Sequence, residues 1–230
     1  MIDFLSESLF FGIVLTLLAY EIGLWANRKF KLAIFHPILI AGAIVIGVLL
    51  LSGISYDAYN SSAQHITYLL TPTTVCLAVP LYSQIDKLRA HKGAVFGGIL
   101  AGVLTNLATI CGLSMLFKLS HTDYVTLLPK SITTAIAIPL TEEYGGIVPI
   151  TVAAITITGI LGSVIASGVC RLFRITDPVA EGLAIGTAAH AAGTTRALEL
   201  GETQGAMSSL AIAVAGVLTV VIAPFFIGLY

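Results

Sequence analysis

The segment from residue 127 to residue 146 has the sequence LLPKSITTAIAIPLTEEYGG, and it decides what kind of fold the chain can form. It is apolar enough to enter a membrane, yet it contains Pro129, Lys130 and Pro139 and ends near Glu142 and Glu143. Charges and backbone groups freed by proline are costly against lipid, and they persist where a segment lines a polar cavity inside the protein. The segment therefore predicts a membrane protein that handles a polar solute.

The composition of the whole chain is that of a membrane protein. Hydrophobic residues make up 57% of the 230 residues and charged residues 10%, whereas soluble domains have about 25% charged residues. The mean hydropathy is +0.99. We expect an all-α, polytopic integral membrane protein with one transmembrane domain over 1–230. The formal net charge of −1 gives no indication of a nucleic-acid partner.

About eight segments are apolar enough to be embedded in a membrane, and we expect some of them to be broken or re-entrant. These segments are 8–25, 32–52, 64–82, 94–117, 125–140, 147–173, 178–199 and 204–229. The N-terminus has Asp3 and Glu7 where a signal peptide has basic residues, which predicts a retained first helix.

No motif in the sequence predicts an enzyme, a metal site or a cofactor. Cys76, Cys111 and Cys170 lie in apolar segments without the spacing of metal ligands. We interpret them as small buried hydrophobic residues. The expected class is therefore a protein without enzymatic activity.

Basic residues indicate the orientation of the segments. One short loop contains Arg28, Lys29 and Lys31, and another contains Lys87, Arg89 and Lys92. The positive-inside rule places both loops in the cytoplasm and the N-terminus outside. Arg171 and Arg174 should also be inside, but full crossings by the fifth and sixth segments would leave them outside. Either the rule fails here or segment 125–140 does not cross. We favour a re-entrant segment because its two prolines suit a break.

A short internal echo predicts a repeat. Residues 69–81 have the sequence LLTPTTVCLAVPL, and residues 127–140 repeat its Leu-Leu, Thr-Thr and Pro-Leu pairs with one residue of slippage. The candidate repeat units are 64–117 and 125–173. Repeats with interrupted apolar segments point to a transporter binding site, and chance similarity between apolar segments is the alternative. The predicted helix breaks are Pro72, Pro80, Pro129, Pro139, Gly145, Gly146, Gly186 and Gly193.

Hydroxyl side chains of the two copies, together with one lysine, form the first candidate substrate site. Its members are Thr73, Thr74, Lys130, Ser131, Thr133 and Thr134. The hydroxyls can donate hydrogen bonds to an anionic solute, and the lysine adds a charge that suits a carboxylate. In the alternative interpretation the hydroxyls bond to their own helix and the lysine extends to the membrane surface.

Residues 181–196, with the sequence EGLAIGTAAHAAGTTR, contain the second group of candidate residues. His190 lies in the middle of an apolar segment, where it can relay a proton. Arg196 can hold a carboxylate through two hydrogen bonds, and Thr194 and Thr195 add hydroxyls. The alternative is a helix of small residues that packs tightly against its neighbours.

Glu142 and Glu143 form a third candidate, for proton or cation coupling. Two carboxylates at the end of a membrane segment can bind a cation or accept a proton. The alternative is a solvated loop in which Gly145 and Gly146 make the turn into the next helix.

Four stretches together resemble the CidB/LrgB family of bacterial membrane proteins: KSITT at 130–134, EEYGG at 142–146, TGILG at 158–162 and GTAAHAAGT at 186–194. The resemblance covers nearly the whole chain. It implies a multi-pass protein of the bacterial cytoplasmic (inner) membrane and a holin/antiholin-like control of murein hydrolase activity and autolysis, exerted with a small CidA/LrgA-like membrane partner. Related proteins are similar to carriers of small carboxylates, namely pyruvate in some bacteria and glycolate and glycerate in a plastid relative.

We expect a carrier of a small monocarboxylate, with proton coupling left open. A holin that forms an oligomeric membrane lesion does not need a proline-broken repeat, a buried lysine or a Gly/Thr-rich segment. The rival expectation is an autolysis regulator that assembles with a partner, and the third is a purely structural membrane subunit. We expect a homo-oligomer, with a dimer favoured.

Overall fold

The computed structural model describes residues 8, 10–30, 35, 37–69, 72, 76, 82 and 85–230. Nine helices and no strand occur in these ranges, which confirms the predicted all-α class. Three stretches among them are long and apolar enough to cross a membrane: Lys92–Phe117, Val148–Leu172 and Glu202–Ile227. The count of eight embedded segments stays a prediction.

The chain forms two compact units, Met1–Cys76 and Leu77–Tyr230, and each is described by itself. The first contains α1 (Phe11–Phe30), α2 (Pro37–Ser52) and α3 (Tyr56–Thr67). The backbone of α1 approaches its neighbours at glycines, where Gly12 N donates to Ser62 Oγ at 2.7 Å. A β-carbon at Gly23 would lie 2.6 Å from Pro37 O. Both contacts need a residue without a side chain.

The second unit contains six helices, α4 (Ile85–Phe117), α5 (His121–Leu127), α6 (Thr134–Glu143), α7 (Val148–Leu172), α8 (Pro178–Leu200) and α9 (Glu202–Ile227). Its main hydrophobic core joins α4 and α9 through Ile99, Leu107 and Met207, which are fully buried. The hydroxyl of Tyr124 in α5 donates to Phe226 O at 2.8 Å. This bond ties α5 to the C-terminal end of α9.

The segment 127–146 is broken in the structure. Helix α5 ends at Leu127 and α6 begins after Thr133, with Pro129 in the turn between them. A proline cannot donate the hydrogen bond that would continue the helix. Both ends of the segment meet the start of α7, because Ile147 N donates to Thr126 Oγ1 at 2.8 Å and Thr141 Oγ1 lies 3.2 Å from Thr151 Oγ1.

Helix α8 reverses direction at His190. The backbone angles there are φ 41° and ψ −137°, a conformation that glycine adopts far more easily than other residues. A β-carbon at Gly193 would lie 3.0 Å from Ile185 O, although residues eight apart in a straight helix are about 12 Å apart. Helix α8 is therefore a hairpin with arms 178–189 and 191–200, which we call the α8 hairpin.

Both arms of the α8 hairpin pack against the first turns of α9. A β-carbon at Gly186 in the first arm would lie 2.7 Å from the Cα of Ser208. From the second arm, Thr194 Oγ1 lies 2.7 Å from Ser208 Oγ. The hairpin thus starts and ends at the same end of the second unit, where α9 begins.

Candidate functional site

A cavity of about 940 Å³ lies in the second unit between α4, α7, α8 and the turn 128–133. We call it the lysine cavity, because Lys130 is the one basic side chain among the described residues that line it. Most of the lining is small or aliphatic. The polar members are Thr105, Asn106, Lys130, Ser131, Thr158, Asp177 and Thr187.

Lys130 is half-buried and bonded to neutral groups. Its Nζ donates to Asn106 Oδ1 at 2.9 Å and to Ser131 Oγ at 3.1 Å. Ser131 Oγ donates in turn to Asn106 Oδ1 at 3.0 Å. An ammonium group has three donors, and none of the described acidic side chains forms an ion pair with it. An anion in the cavity would supply the missing negative charge.

The turn that holds Lys130 follows from the local sequence. Pro129 ends α5, and Lys130 N donates to Leu127 O at 3.2 Å while Ile132 N donates to Pro129 O at 3.2 Å. Thr133 then caps α6 without a side-chain hydrogen bond. The tight turn directs residues 130 and 131 toward α4, where Asn106 accepts from both.

The lysine cavity runs from one end of the second unit into its interior. Ala94, Ile165 and Asp177 line the cavity near the start of α4, the end of α7 and the start of α8. Asn106 lies twelve residues beyond Ala94 on α4, which is about 18 Å at the rise of an α-helix. Lys130, whose Nζ bonds to Asn106, thus lies far along the cavity from Ala94.

The profile of the LrgB-like family matches residues 16–229 of the chain. The chain belongs to the LrgB-like family. The antiholin-like protein LrgB of Bacillus subtilis (strain 168) is 35% identical over 225 residues, which are 97% of each chain. The antiholin-like protein LrgB of Bacillus mycoides (strain KBAB4) is 34% identical over 218 residues, 94% of this chain and 95% of the relative. No solved structure matches the chain.

The family assignment confirms the resemblance found in the sequence, and together with the three apolar helices it makes this LrgB-like chain a membrane protein. Its multi-pass topology and inner-membrane location stay predictions.

In the structure of this LrgB-like chain, His190 does not line the lysine cavity. His190 is buried, with Nε2 3.0 Å from Ile155 O, and a β-carbon at Gly159 would lie 2.6 Å from its ring. The ring therefore anchors the tip of the α8 hairpin to α7. Residues 187 and 188, just before the tip, line the cavity.

The neighbours of His190 in the predicted site have partners of their own. Thr194 Oγ1 donates to His190 O at 3.0 Å, and exposed Thr195 donates to Ala191 O at 3.4 Å. Arg196 pairs with Glu199 at 2.7 Å and donates to Ser167 Oγ at 3.2 Å. None of these residues lines the lysine cavity.

The remaining predicted residues are placed as follows. Glu142 and Glu143 are exposed at the end of α6, and Thr133 and Thr134 are half-buried at its start, outside the lysine cavity.

The predicted helix breaks occupy different positions. Gly145 has φ 75° in the turn before α7, Pro139 lies inside α6, and Gly186 and Gly193 flank the reversal at His190. Pro72 is exposed. Thr73, Thr74 and Pro80 lie outside the described residues, so the echo between 69–81 and 127–140 stays a prediction.

The sequence predictions omit several of the polar residues that line the lysine cavity, among them Asn106, Thr158 and Thr187. Asn106 is the most informative of them, because it accepts hydrogen bonds from both Lys130 and Ser131. A polar amide in the apolar segment 94–117 is the signal that identifies it.

Proposed function

We propose that this protein is an antiholin-like membrane regulator, which restrains murein hydrolase activity and autolysis together with a small CidA/LrgA-like membrane partner. The observation that carries the proposal is the match to the antiholin-like protein LrgB of Bacillus subtilis over 97% of both chains. A match of this extent covers nearly all of both proteins. The inner membrane of a bacterium is the proposed location.

The test is complementation of a bacterium that lacks its own LrgB and lyses faster than its parent in detergent. We expect expression of this chain to restore the lysis rate of the parent and to lower murein hydrolase activity in zymograms. Expression in a strain that also lacks the small partner is the matched control, and it should have no such effect. Unchanged lysis in the first strain, at equal membrane levels of the protein, contradicts the proposal.

A second candidate function, a carrier for a small monocarboxylate, is favoured by the lysine cavity. A half-buried cation with neutral partners in a space of about 940 Å³ suits a small organic anion. Charge-assisted hydrogen bonds from lysine and a hydroxyl are among the stronger polar contacts in proteins. We place the carboxylate at Lys130 and Ser131, because Arg196 is already paired with Glu199.

The same proposal includes two re-entrant elements. The turn 128–133 and the tip of the α8 hairpin both contact the first half of α7, at Ile155 and Gly159. Discontinuous helices that meet near the bilayer midplane are typical of carriers. In this arrangement the backbone around the site is shaped by four threonines that do not contact the solute, Thr133, Thr134, Thr194 and Thr195. The proposed proton carrier is His190, Glu142 or Glu143.

Uptake into proteoliposomes tests the carrier function. We expect saturable uptake of labelled pyruvate or glycolate, with no leakage of unrelated neutral solutes of similar size. A mutant chain that transports nothing but still restores the lysis rate would separate the two functions. Graded leakage of unrelated solutes without saturation contradicts the carrier and favours an oligomeric lesion.

A further inference from the structure

A second, smaller pocket of about 360 Å³ lies between α4 and α9, away from Lys130. Its walls are apolar and consist of Val95, Phe96 and Ile99 from α4 and Leu210 and Val214 from α9. Both helices contain stretches long and apolar enough to cross a membrane. The pocket is therefore a groove between two candidate membrane spans, and we call it the α4–α9 groove.

Two cations stand at one end of this groove. Arg89 and Lys92 complete its lining, and both are exposed. Neither forms an ion pair with another described residue. Asp86 lies one turn earlier on α4 and does not line the groove. The end of the groove thus carries two positive charges that no described side chain neutralises.

The position of the cations along α4 matches the surface of a bilayer. Lys92 is the first residue of the apolar stretch Lys92–Phe117, so it lies at the level of the lipid headgroups. Ile99 lies seven residues further along the helix, which is about 10 Å deeper. The groove therefore leads from the headgroup level into the hydrocarbon.

We propose that the α4–α9 groove binds an anionic phospholipid. Its phosphate pairs with Arg89 and Lys92, because a guanidinium group binds phosphate oxygens through paired hydrogen bonds and lysine adds a compact charge. Its acyl chain lies along the apolar walls. Basic pockets between membrane helices suit anionic headgroups on physical grounds, and this site is independent of both functions proposed above.

The first test compares lipids of identical acyl chains. Purified full-length protein in detergent is titrated with phosphatidylglycerol or phosphatidylcholine, and binding is followed by native mass spectrometry and thermal unfolding. We expect tighter binding of phosphatidylglycerol. The double substitution Arg89→Gln/Lys92→Gln should weaken that binding about 30-fold, or about fivefold for each cation removed, and leave phosphatidylcholine unchanged.

The double substitution Arg171→Gln/Arg174→Gln is the matched control. It removes two exposed cations that lie outside the groove, and it should leave the preference for phosphatidylglycerol intact. Equal loss in the two double variants would mean a general charge effect and would overturn the proposal. Equal binding of the two lipids by the unmodified protein would do the same.

Filling the groove provides a second, independent test. Val214→Trp should block binding of both lipids at this site, whereas Val217→Trp should not, because Val217 is exposed on the same helix outside the groove. Inorganic phosphate is the competitor that distinguishes a lipid from a free anion. If phosphate displaces phosphatidylglycerol at equal concentration, or if Val214→Trp binds lipid normally, the acyl chain has no place in the groove and the proposal fails.

Discussion

Replacing Lys130 with methionine should remove most of the saturable uptake of a small carboxylate. Methionine keeps the length and apolar stem of the side chain but loses the one positive charge that the described residues bring to the lysine cavity. Hydrogen bonds to charged groups contribute about 1.5–3 kcal/mol, so we expect the apparent affinity to fall about 10- to 100-fold. Initial rates in proteoliposomes over a range of pyruvate or glycolate concentrations measure the effect.

Lys118→Met is the matched control for this prediction. Lys118 is a cation of the same unit, exposed just beyond the end of α4 and outside the lysine cavity. Its replacement should leave uptake unchanged. The site assignment is wrong if Lys130→Met transports normally, or if both variants lose uptake to the same extent. Reconstituted amounts of folded protein must be equal in all three samples.

Replacing Gly186 with leucine should prevent the second unit from folding stably. A β-carbon at position 186 would lie 2.7 Å from the Cα of Ser208, so any side chain there must push α8 away from α9. Overpacking of a well-packed contact costs about 1–3 kcal/mol or more, and backbone on the facing side cannot yield as a side chain can. We expect Gly186→Ala to lower the unfolding midpoint and Gly186→Leu to abolish the monodisperse protein.

Cys111 and Cys170 are buried, but Cys76 is exposed, so the burial predicted for Cys76 is wrong. In a Cys76→Ser background a thiol-reactive dye measures the effect, because the two remaining cysteines become reactive only on unfolding. Gly168→Ala is the matched control, since a β-carbon at Gly168 meets nothing within 4 Å. It should leave the midpoint unchanged or raise it slightly through better helix propensity. Equal midpoints for Gly186→Ala and Gly168→Ala would show that α8 and α9 do not pack this closely.

The break in the segment 127–146 was predictable because its cause is local. Pro129 cannot donate a backbone hydrogen bond, and the charged residue beside it needs a polar environment. The all-α class was also predictable, because the composition indicates a membrane protein. In lipid each apolar segment must pair its own backbone N–H and C=O groups, and a helix does so. Lys130 and Ser131 line the lysine cavity because they belong to this local feature.

The reversal at His190 has no comparable local signal. The residues around it are small helix-compatible residues, and neither proline nor glycine stands at the turn itself. The conformation with φ 41° is held by tertiary contacts, namely the bond from His190 to Ile155 O at 3.0 Å and the packing of Gly193 on Ile185. Asn106 has a local signal, as a polar amide in an apolar segment, but its pairing with Lys130 has none, because the two residues are 24 positions apart.

The short arms of the broken segments have a consequence for the order of folding. Helix α5 has 7 residues and α6 has 10, so each is about 10–15 Å long, half the thickness of a bilayer core or less. Such an arm cannot cross the bilayer by itself, and the backbone groups at its tip need partners within the protein. In the re-entrant arrangement proposed above, the long apolar helices of the described part of the chain must therefore be assembled before these tips can enter between them. The lysine cavity is then among the last features of the protein to form, and a partly folded chain has no lysine cavity.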